Sequence, residues 1–172
     1  NSWSQVDTTA DQVTDSVGWV DASANSYLVF AHYDANGSNY THYNGSSWVT
    51  ASAAKATKFL TAWDEKLWGI SNAGKLWYAS AIDTEADDAQ LPTPAGSVTA
   101  LFVARNAAGV PIIYASTTQG LFAHNADNAK WEETQMAFPI HPDNGKGTVR
   151  WRDSVYIPSG NGIYKYINGN NA

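Results

Sequence analysis

The sequence predicts an almost entirely β protein, and three observations carry that reading. No stretch holds apolar residues at a 3.6-residue period for three turns, whereas short alternating runs such as Tyr27-Leu-Val-Phe-Ala-His32 and Val98-Thr-Ala-Leu-Phe-Val103 recur along the chain. Between the runs lie turn-forming clusters: Asp34-Ala-Asn-Gly-Ser38, Asn44-Gly-Ser-Ser47 and Ser71-Asn-Ala-Gly74. The runs also come in groups that start near Ser16, Thr57, Val98 and Gly147, about 41 residues apart and stretched once by an insertion at 137–144, which is the length of a four-stranded repeat.

Taken in order, the first group is Ser16–Asp21, Tyr27–His32, Asn39–Tyr43 and Trp48–Ala51. The second is Thr57–Trp63, Leu67–Ser71 and Lys75–Tyr78; its fourth strand is poorly marked, because the acidic run Asp83–Asp88 intervenes and Leu91 is the sole apolar anchor before Pro92. The third is Val98–Val103, Pro111–Ser116, Gly120–His124 and Lys130–Gln135. The fourth is Gly147–Trp151, Val155–Ser159 and Gly162–Ile167, one strand short. That strand is expected at the other end of the chain. Tyr164-Lys-Tyr-Ile-Asn-Gly matches Tyr40-Thr-His-Tyr-Asn-Gly and stops before a tryptophan, while Asn1-Ser-Trp3 copies Ser46-Ser-Trp48. Residues Ser2–Val6 are therefore expected to pair with Gly162–Ile167 and seat Trp3 where Trp48 and Trp131 sit in their own repeats.

Four repeats closed by the two termini describe a β-propeller of four antiparallel four-stranded blades, at about 16–51, 57–91, 98–135, and 147–172 plus 1–6. The third strands carry residue pairs at two-residue spacing, Tyr40 and His42, Leu76 and Tyr78, Phe122 and His124, Tyr164 and Tyr166, which are expected to share one register and pack between blades. The chain resembles propellers of the hemopexin size class, without that family's sequence signatures and cysteines. Its blade motif, aromatic-x-His or Tyr followed by Asn-Gly-Ser-Ser-Trp, resembles repeats in tail-associated and virion-surface propeller proteins of uncultivated bacteriophages. That resemblance implies a surface-binding protein, extracellular or on a virion, and names no target.

Composition narrows the function. At 172 residues the chain is the size of one domain that buries about 70% of its unfolded surface, so it needs no covalent staple, and it has no cysteine to supply one. Charged residues make up only 15%, leaving a surface of Asn, Ser, Thr, Gly and Tyr. A net charge of −6 with no run of Lys or Arg argues against nucleic acid or an anionic membrane as partner. No apolar run reaches the length of a signal peptide or membrane span, so the chain as given is expected to be soluble, with no membrane insertion. The lone methionine is Met136, which suggests a processed form or a segment of something longer.

No motif for a catalytic centre stands out. Ser71-Asn-Ala-Gly-Lys-Leu-Trp77 resembles the Asp-box of sialidase-type propellers but is one residue short and lacks the Asp; of the three arginines, Arg150 and Arg152 share a strand. A glycosidase of sialidase-like type stays as an alternative, because the sequence fixes no distances between carboxylates. His42 and His124 stand at matching places, but Tyr78 and Tyr166 fill the same place elsewhere, so an aromatic ring with a polar edge is expected there and no metal. Asp34, Asn36 and Ser38 have the alternation that opens a calcium loop without its distal glutamate, and a tight turn explains them as well. Asn36, Asn39 and Asn44 are sequons that matter only in a eukaryotic secreted protein.

The expected function is non-catalytic: recognition of a glycan or cell-surface polymer by aromatic rings and uncharged hydrogen-bonding groups, or a structural place in a homo-oligomer, a strand-exchanged fibre or a larger viral or extracellular assembly. Ligands are expected at the loops between second and third strands and between repeats. Those loops carry Asp34, Asn36, Asn72, Thr117, Gln119, His141, Asp143, Asn144 and Asn161. The insertion at 137–144 is the largest departure from the repeat and is expected either to carry function or to cover a sheet edge.

Overall fold

The computed structural model describes residues 12–33, 40–50, 57–71, 76–87, 91–92, 94–106, 108–134, 136, 138–152, 154–167 and 170–171. The chain divides into two units, residues 1–87 and 88–172, each built from two antiparallel sheets of four strands. In the first unit, sheet one is β1 (Gln12–Val20), β2 (Ser26–Tyr33), β3 (Thr41–Tyr43) and β4 (Trp48–Thr50). Sheet two is β5 (Thr57–Trp63), β6 (Lys66–Ser71), β7 (Leu76–Ala79) and β8 (Ala86–Asp87). In the second unit, sheet three is β9 (Val98–Arg105), β10 (Pro111–Thr117), β11 (Leu121–Asn125) and β12 (Lys130–Glu133), and sheet four is β13 (Val149–Trp151), β14 (Ser154–Ser159), β15 (Gly162–Ile167) and β16 (Asn170–Asn171). In every sheet the spatial order of the strands is their order in the chain. The all-β expectation holds, and four consecutive meanders are consistent with a propeller-like fold.

Three of the first strands carry an extra residue at the same place, Thr14 in β1, Lys58 in β5 and Thr99 in β9, where the register with the second strand slips by one. Such bulges turn one side chain out of the pleat. In both units the freed threonine hydroxyl reaches the next repeat: Thr14 Oγ1 donates to the Lys58 carbonyl at 2.8 Å, and Thr99 Oγ1 donates to the Asn144 carbonyl. The bulge therefore fastens one repeat to the next.

In the first unit, Trp19, Val29, Ala31 and Tyr40 of sheet one and its margin pack on Leu60, Leu67, Trp77 and Ala79 of sheet two. Trp77 stacks on Tyr40 with centroids 5.8 Å apart and planes within 16°. Its indole lies flat over Gly69, where a Cβ would come within 2.2 Å of the ring, so only glycine fits. The two-residue turn Asp64-Glu65 joins β5 to β6 with φ of 53° and 58°, and the Trp19 indole donates to the Glu65 carbonyl at 3.2 Å. In the second unit, Ala104, Tyr114 and Leu121 of sheet three pack with Met136 and Phe138 on Val155, Ile157 and Tyr166 of sheet four. The Tyr114 and Tyr166 hydroxyls bond to each other at 2.7 Å, fully buried.

Three expectations are revised or left aside. First, the fourth strand of sheet two lies inside the acidic run instead of at Leu91. Ile82 packs against the core, Thr84 Oγ1 closes a turn by donating to the Ala81 carbonyl at 2.7 Å, and the Tyr40 hydroxyl donates to Glu85 and accepts from the Asp83 amide at 3.3 Å. These three anchors order a run that its charges alone would leave in solvent. Second, sheet four has its own short fourth strand, since Tyr166 pairs with Asn171 and Ile167 with Asn170. Trp3 and the pairing of Ser2–Val6 lie outside the described residues.

Third, the third-strand pairs do not share one register. Tyr40 and His42 face sheet two, and Tyr164 and Tyr166 face sheet three. Leu76 and Tyr78 alternate with the core residues Trp77 and Ala79 and so face away from sheet one; Phe122 and His124 alternate with Leu121 and Ala123 and face away from sheet four. Counted from the bulge, His124 corresponds to Tyr43 and not to His42. Trp48 lies opposite Tyr43 and Trp131 opposite His124, each pair 5.3 Å between centroids, so the two tryptophans do match. The hairpin of sheet three runs one residue pair further, Asn125 with Lys130, before its turn. His42 and His124 belong to separate units. His42 sets its ring edge-on to Tyr27 at 5.5 Å and His124 sets its ring edge-on to Trp131.

Candidate functional site

Three segments of the second unit converge at one end: the β10–β11 turn, the segment 138–148, and the β14–β15 turn. The turns form where the sequence supplies a hydroxyl or amide to hold them. Thr117 is fully buried, and its Oγ1 accepts from the amides of Gln119 at 3.1 Å and Gly120 at 2.9 Å. Asn144 is buried as well. Its Nδ2 donates to the Pro139 carbonyl at 2.7 Å and to the Thr118 carbonyl at 3.4 Å, and its Oδ1 accepts from the Gly160 amide at 3.4 Å. One side chain thus ties all three segments together. Gly145 follows with φ of 76°, bonds the Pro158 carbonyl at 2.7 Å, and sits so close to Ser116 that a Cβ would come within 2.4 Å of it.

On this base four of the expected residues present side chains to solvent. His141 lies across Gly160, where a Cβ would approach its ring to 2.6 Å, and its amide donates to the Thr118 carbonyl at 3.0 Å. The Asp143 amide donates to His141 Nδ1 at 3.1 Å, so the neutral ring carries its proton on Nε2. Asp143 pairs with Lys146, and the bond from that ammonium holds its carboxyl below the usual carboxylate range. Asn161 accepts from the Ser159 hydroxyl at 3.0 Å and the Tyr164 hydroxyl at 3.2 Å, and Gln119 is exposed. The structure brings Thr117, Gln119, His141, Asp143, Asn144 and Asn161 together, but Thr117 and Asn144 build the face from within instead of presenting it. Asp34, Asn36, Ser38 and Asn72 lie outside the described residues.

Sequence reasoning missed Thr118, Gly160 and Phe138. Thr118 supplies the carbonyl that His141 and Asn144 share, and its hydroxyl accepts from the Ser97 amide at 3.2 Å. Phe138 packs against Tyr164, centroids 5.0 Å apart and planes tilted by 60°, and anchors the insertion in the core. An aromatic residue placed just inside an insertion was the available signal.

At the opposite end of sheet three, a cavity of about 440 Å³ opens between the β9–β10 turn and the β11–β12 hairpin. Ile112 and Ala123 line it beside His124, and Asn106, Asp127 and Glu132 stand around it. Asn125 and Asn128 both donate to Glu132, which lowers its pKa. Among the described residues no three His, Cys, Asp or Glu side chains are grouped to hold a metal ion, and no helix is long and apolar enough to cross a membrane.

No protein-family model matches the chain, and no curated protein sequence matches it. Solved structures do match in fold. The computationally designed Ika4 protein superposes with a TM-score of 0.61 at 12% identity, covering 96% of each chain. The extracellular domain of a hybrid two component system from B. thetaiotaomicron superposes with a TM-score of 0.62 at 14% identity, covering 98% of this chain and 23% of that one. A second structure, of an extracellular domain described as part of a one component system from the same organism, gives 0.60 at 14%, again with 98% and 23% covered. At these identities the likeness concerns the fold alone.

Proposed function

We propose that this chain is a non-catalytic β-propeller that holds a glycan or cell-surface polymer outside a cell or on a virion. The observation that carries the reading is the convergence of Gln119, His141 and Asn161 on a base pinned by buried Thr117 and Asn144. Uncharged donors and acceptors fixed on a rigid frame, with the Tyr164 and Phe138 rings beside them, are what a hydroxyl-rich ligand requires. Asp143 is bound to Lys146 and kept ionised, the reverse of a carboxylic acid poised to donate a proton to a glycosidic oxygen. The extracellular setting is supported by the fold neighbours from B. thetaiotaomicron.

Such a site binds weakly one copy at a time and gains strength by avidity. Screening the protein, displayed in many copies, against glycans and bacterial surface polymers should yield hits that His141→Ala and Gln119→Ala weaken together. Binding that survives both changes but disappears with Ala126→Trp, at an exposed residue of the cavity lining, would move the site to the cavity of sheet three. Turnover of a glycoside, lost on changing one carboxylate, would replace the reading with an enzyme.

A further inference from the structure

Asparagine followed by glycine is the dipeptide whose side-chain amide is most easily lost, because the next backbone nitrogen can close a five-membered ring on Cγ and glycine puts no side chain in its way. The described residues hold this pair at Asn44, Asn144 and Asn161, in three different settings; Asn36 and Asn168, also followed by glycine, lie outside them. At Asn144 both reacting groups are tied down. The side chain is fully buried with its Nδ2 bonded to the Pro139 and Thr118 carbonyls, and the Gly145 nitrogen donates to the Pro158 carbonyl at 2.7 Å. At Asn161 the Gly162 nitrogen belongs to β15, opposite Ser159, so ring closure would pull a residue out of the ladder. Asn44 differs from both. It is exposed in the loop from β3 to β4, its Oδ1 accepts from the Ser46 and Ser47 amides at 3.0 Å each, and the Tyr43 hydroxyl donates to the Gly45 carbonyl at 2.9 Å. Among the described residues neither Asn44 Nδ2 nor the Gly45 nitrogen donates to an acceptor, and no atom beyond the adjacent residues lies within 4 Å of where a Gly45 Cβ would stand.

We infer that Asn44 is a site of spontaneous deamidation in the folded chain, promoted by the turn that it caps, and that the same dipeptide at Asn144 is protected. The Gly45 nitrogen, losing its proton to water, forms a bond to Asn44 Cγ, and an electron pair of the Cγ–Oδ1 double bond moves to Oδ1. The two amides that already hold this oxygen stabilise the charge that develops on it, as an oxyanion hole does. Collapse breaks the Cγ–Nδ2 bond and, with a proton from water, releases ammonia and leaves a succinimide. Water then opens the ring. Cleavage of the new bond at Cγ gives an aspartate in this place, and cleavage between the Asn44 carbonyl carbon and the Gly45 nitrogen gives an isoaspartate, whose main chain runs through Cβ and Cγ. The sum is one water consumed and one ammonia released. Either product adds a negative charge to a chain already at −6. The isoaspartate also lengthens the loop between Tyr43 and Trp48, which pair across the hairpin with ring centroids 5.3 Å apart.

The test holds the intact protein at mildly alkaline pH, in buffer and in concentrated urea, and maps its peptides over time by mass spectrometry. The exchange of amide for acid is followed at each asparagine, and isoaspartate is counted by enzymatic carboxyl methylation. Asn36 shares the tryptic peptide of Asn44, since Lys55 is the first basic residue, and is separated from it by fragmentation. In buffer Asn44 should convert roughly tenfold or more faster than Asn161, and Asn144 slower still, since it reacts only through local opening. In urea the three should converge, with Asn144 gaining most and Asn44 gaining nothing. Asn44→Gln, which closes only a larger and slower ring, should remove the isoaspartate from this position and leave the rates at Asn144 and Asn161 unchanged. An Asn44 that reacts faster in urea than in buffer overturns the inference, because the turn would then protect its cap. So does a folded chain in which Asn144 or Asn161 converts before Asn44.

Discussion

Both units pack two four-stranded meanders face to face and fasten them through a bulged threonine, yet they fill the joint with different chemistry. In the first unit the joint is ionisable and aromatic. Asp15 accepts from the Leu60 amide at 2.9 Å, Tyr40 bonds Glu85, and His32 and His42 are buried within sheet one, His32 Nε2 sharing a hydrogen bond with Thr41 Oγ1 at 2.7 Å. In the second unit the joint is neutral: a tyrosine pair, a threonine and Asn144. The same architecture accepts either solution because the backbone contacts are common and the side chains need only be satisfied where they are buried. The difference teaches that titratable groups, Asp15 and His42, stand inside the first joint, where the second is held by tyrosine, threonine and asparagine.

The comparison breaks most visibly at the aromatic stack. Trp77→Ala removes a fully buried indole held between Tyr40 and Gly69, and should cost about 3–5 kcal/mol in chemical denaturation. Its neutral counterpart, Tyr114→Phe, deletes one hydroxyl and orphans that of Tyr166, for about 1–3 kcal/mol. Equal losses would mean that the two joints are not filled differently in energy.

Asn144→Ala should cost about 1–3 kcal/mol and, more tellingly, speed amide exchange at Gly160 and His141 while leaving the first unit's amides unchanged. Unaltered exchange there would show that the three segments hold together without the amide.

A pH series sharpens the contrast. Burial lowers the pKa of His42 from its ordinary 6.5, so below that value the unfolded chain takes up a proton that the native ring refuses, and stability falls as pH falls. Asp15 acts in the other direction and in another window: burial raises its pKa above 3.8, so the native state holds its proton to higher pH, and acidification through that range adds stability. Melting of the wild type should drop on the acid side of neutrality, and His42→Phe should flatten that slope. A slope unchanged by the substitution would assign it elsewhere.

The smallest effect is expected at the β5–β6 turn. Replacing Asp64-Glu65 by Asn-Gly relieves two left-handed residues and should raise stability by about 1 kcal/mol or less, read as a small upward shift in melting temperature. No gain would indicate that the Trp19 bond to the Glu65 carbonyl already fixes the turn at no cost.

Strand placement was largely legible because alternation and turn chemistry are local properties. The revisions came where a distant contact decides. The strand in the acidic run depends on Tyr40, more than forty residues earlier, and no local signal announces it. The mismatch of His42 with His124 arose from aligning the histidines instead of the asparagines: Asn44 Oδ1 caps the turn by accepting from Ser46 and Ser47, and Asn125 Oδ1 does the same for Asp127. Aligned on those caps, Tyr43 meets His124, as the structure has it. At the candidate site, residue types were readable but exposure was not. Thr117 and Gln119 sit two residues apart in one turn, and only burial separates the side chain that holds the turn from the one that faces out.

The strict chain order of strands within every sheet bears on how the polypeptide is made. Each sheet is complete soon after its last strand leaves the ribosome, because no described strand waits for a partner from a later sheet. Synthesis therefore adds one finished layer at a time, and the first layer of each unit shows a greasy side until the second covers it. For sheets one and three the successor is about forty residues behind, a delay of only a few seconds at ordinary translation speeds. Within each unit, then, the apolar face of the first sheet waits only for the sheet that directly follows it.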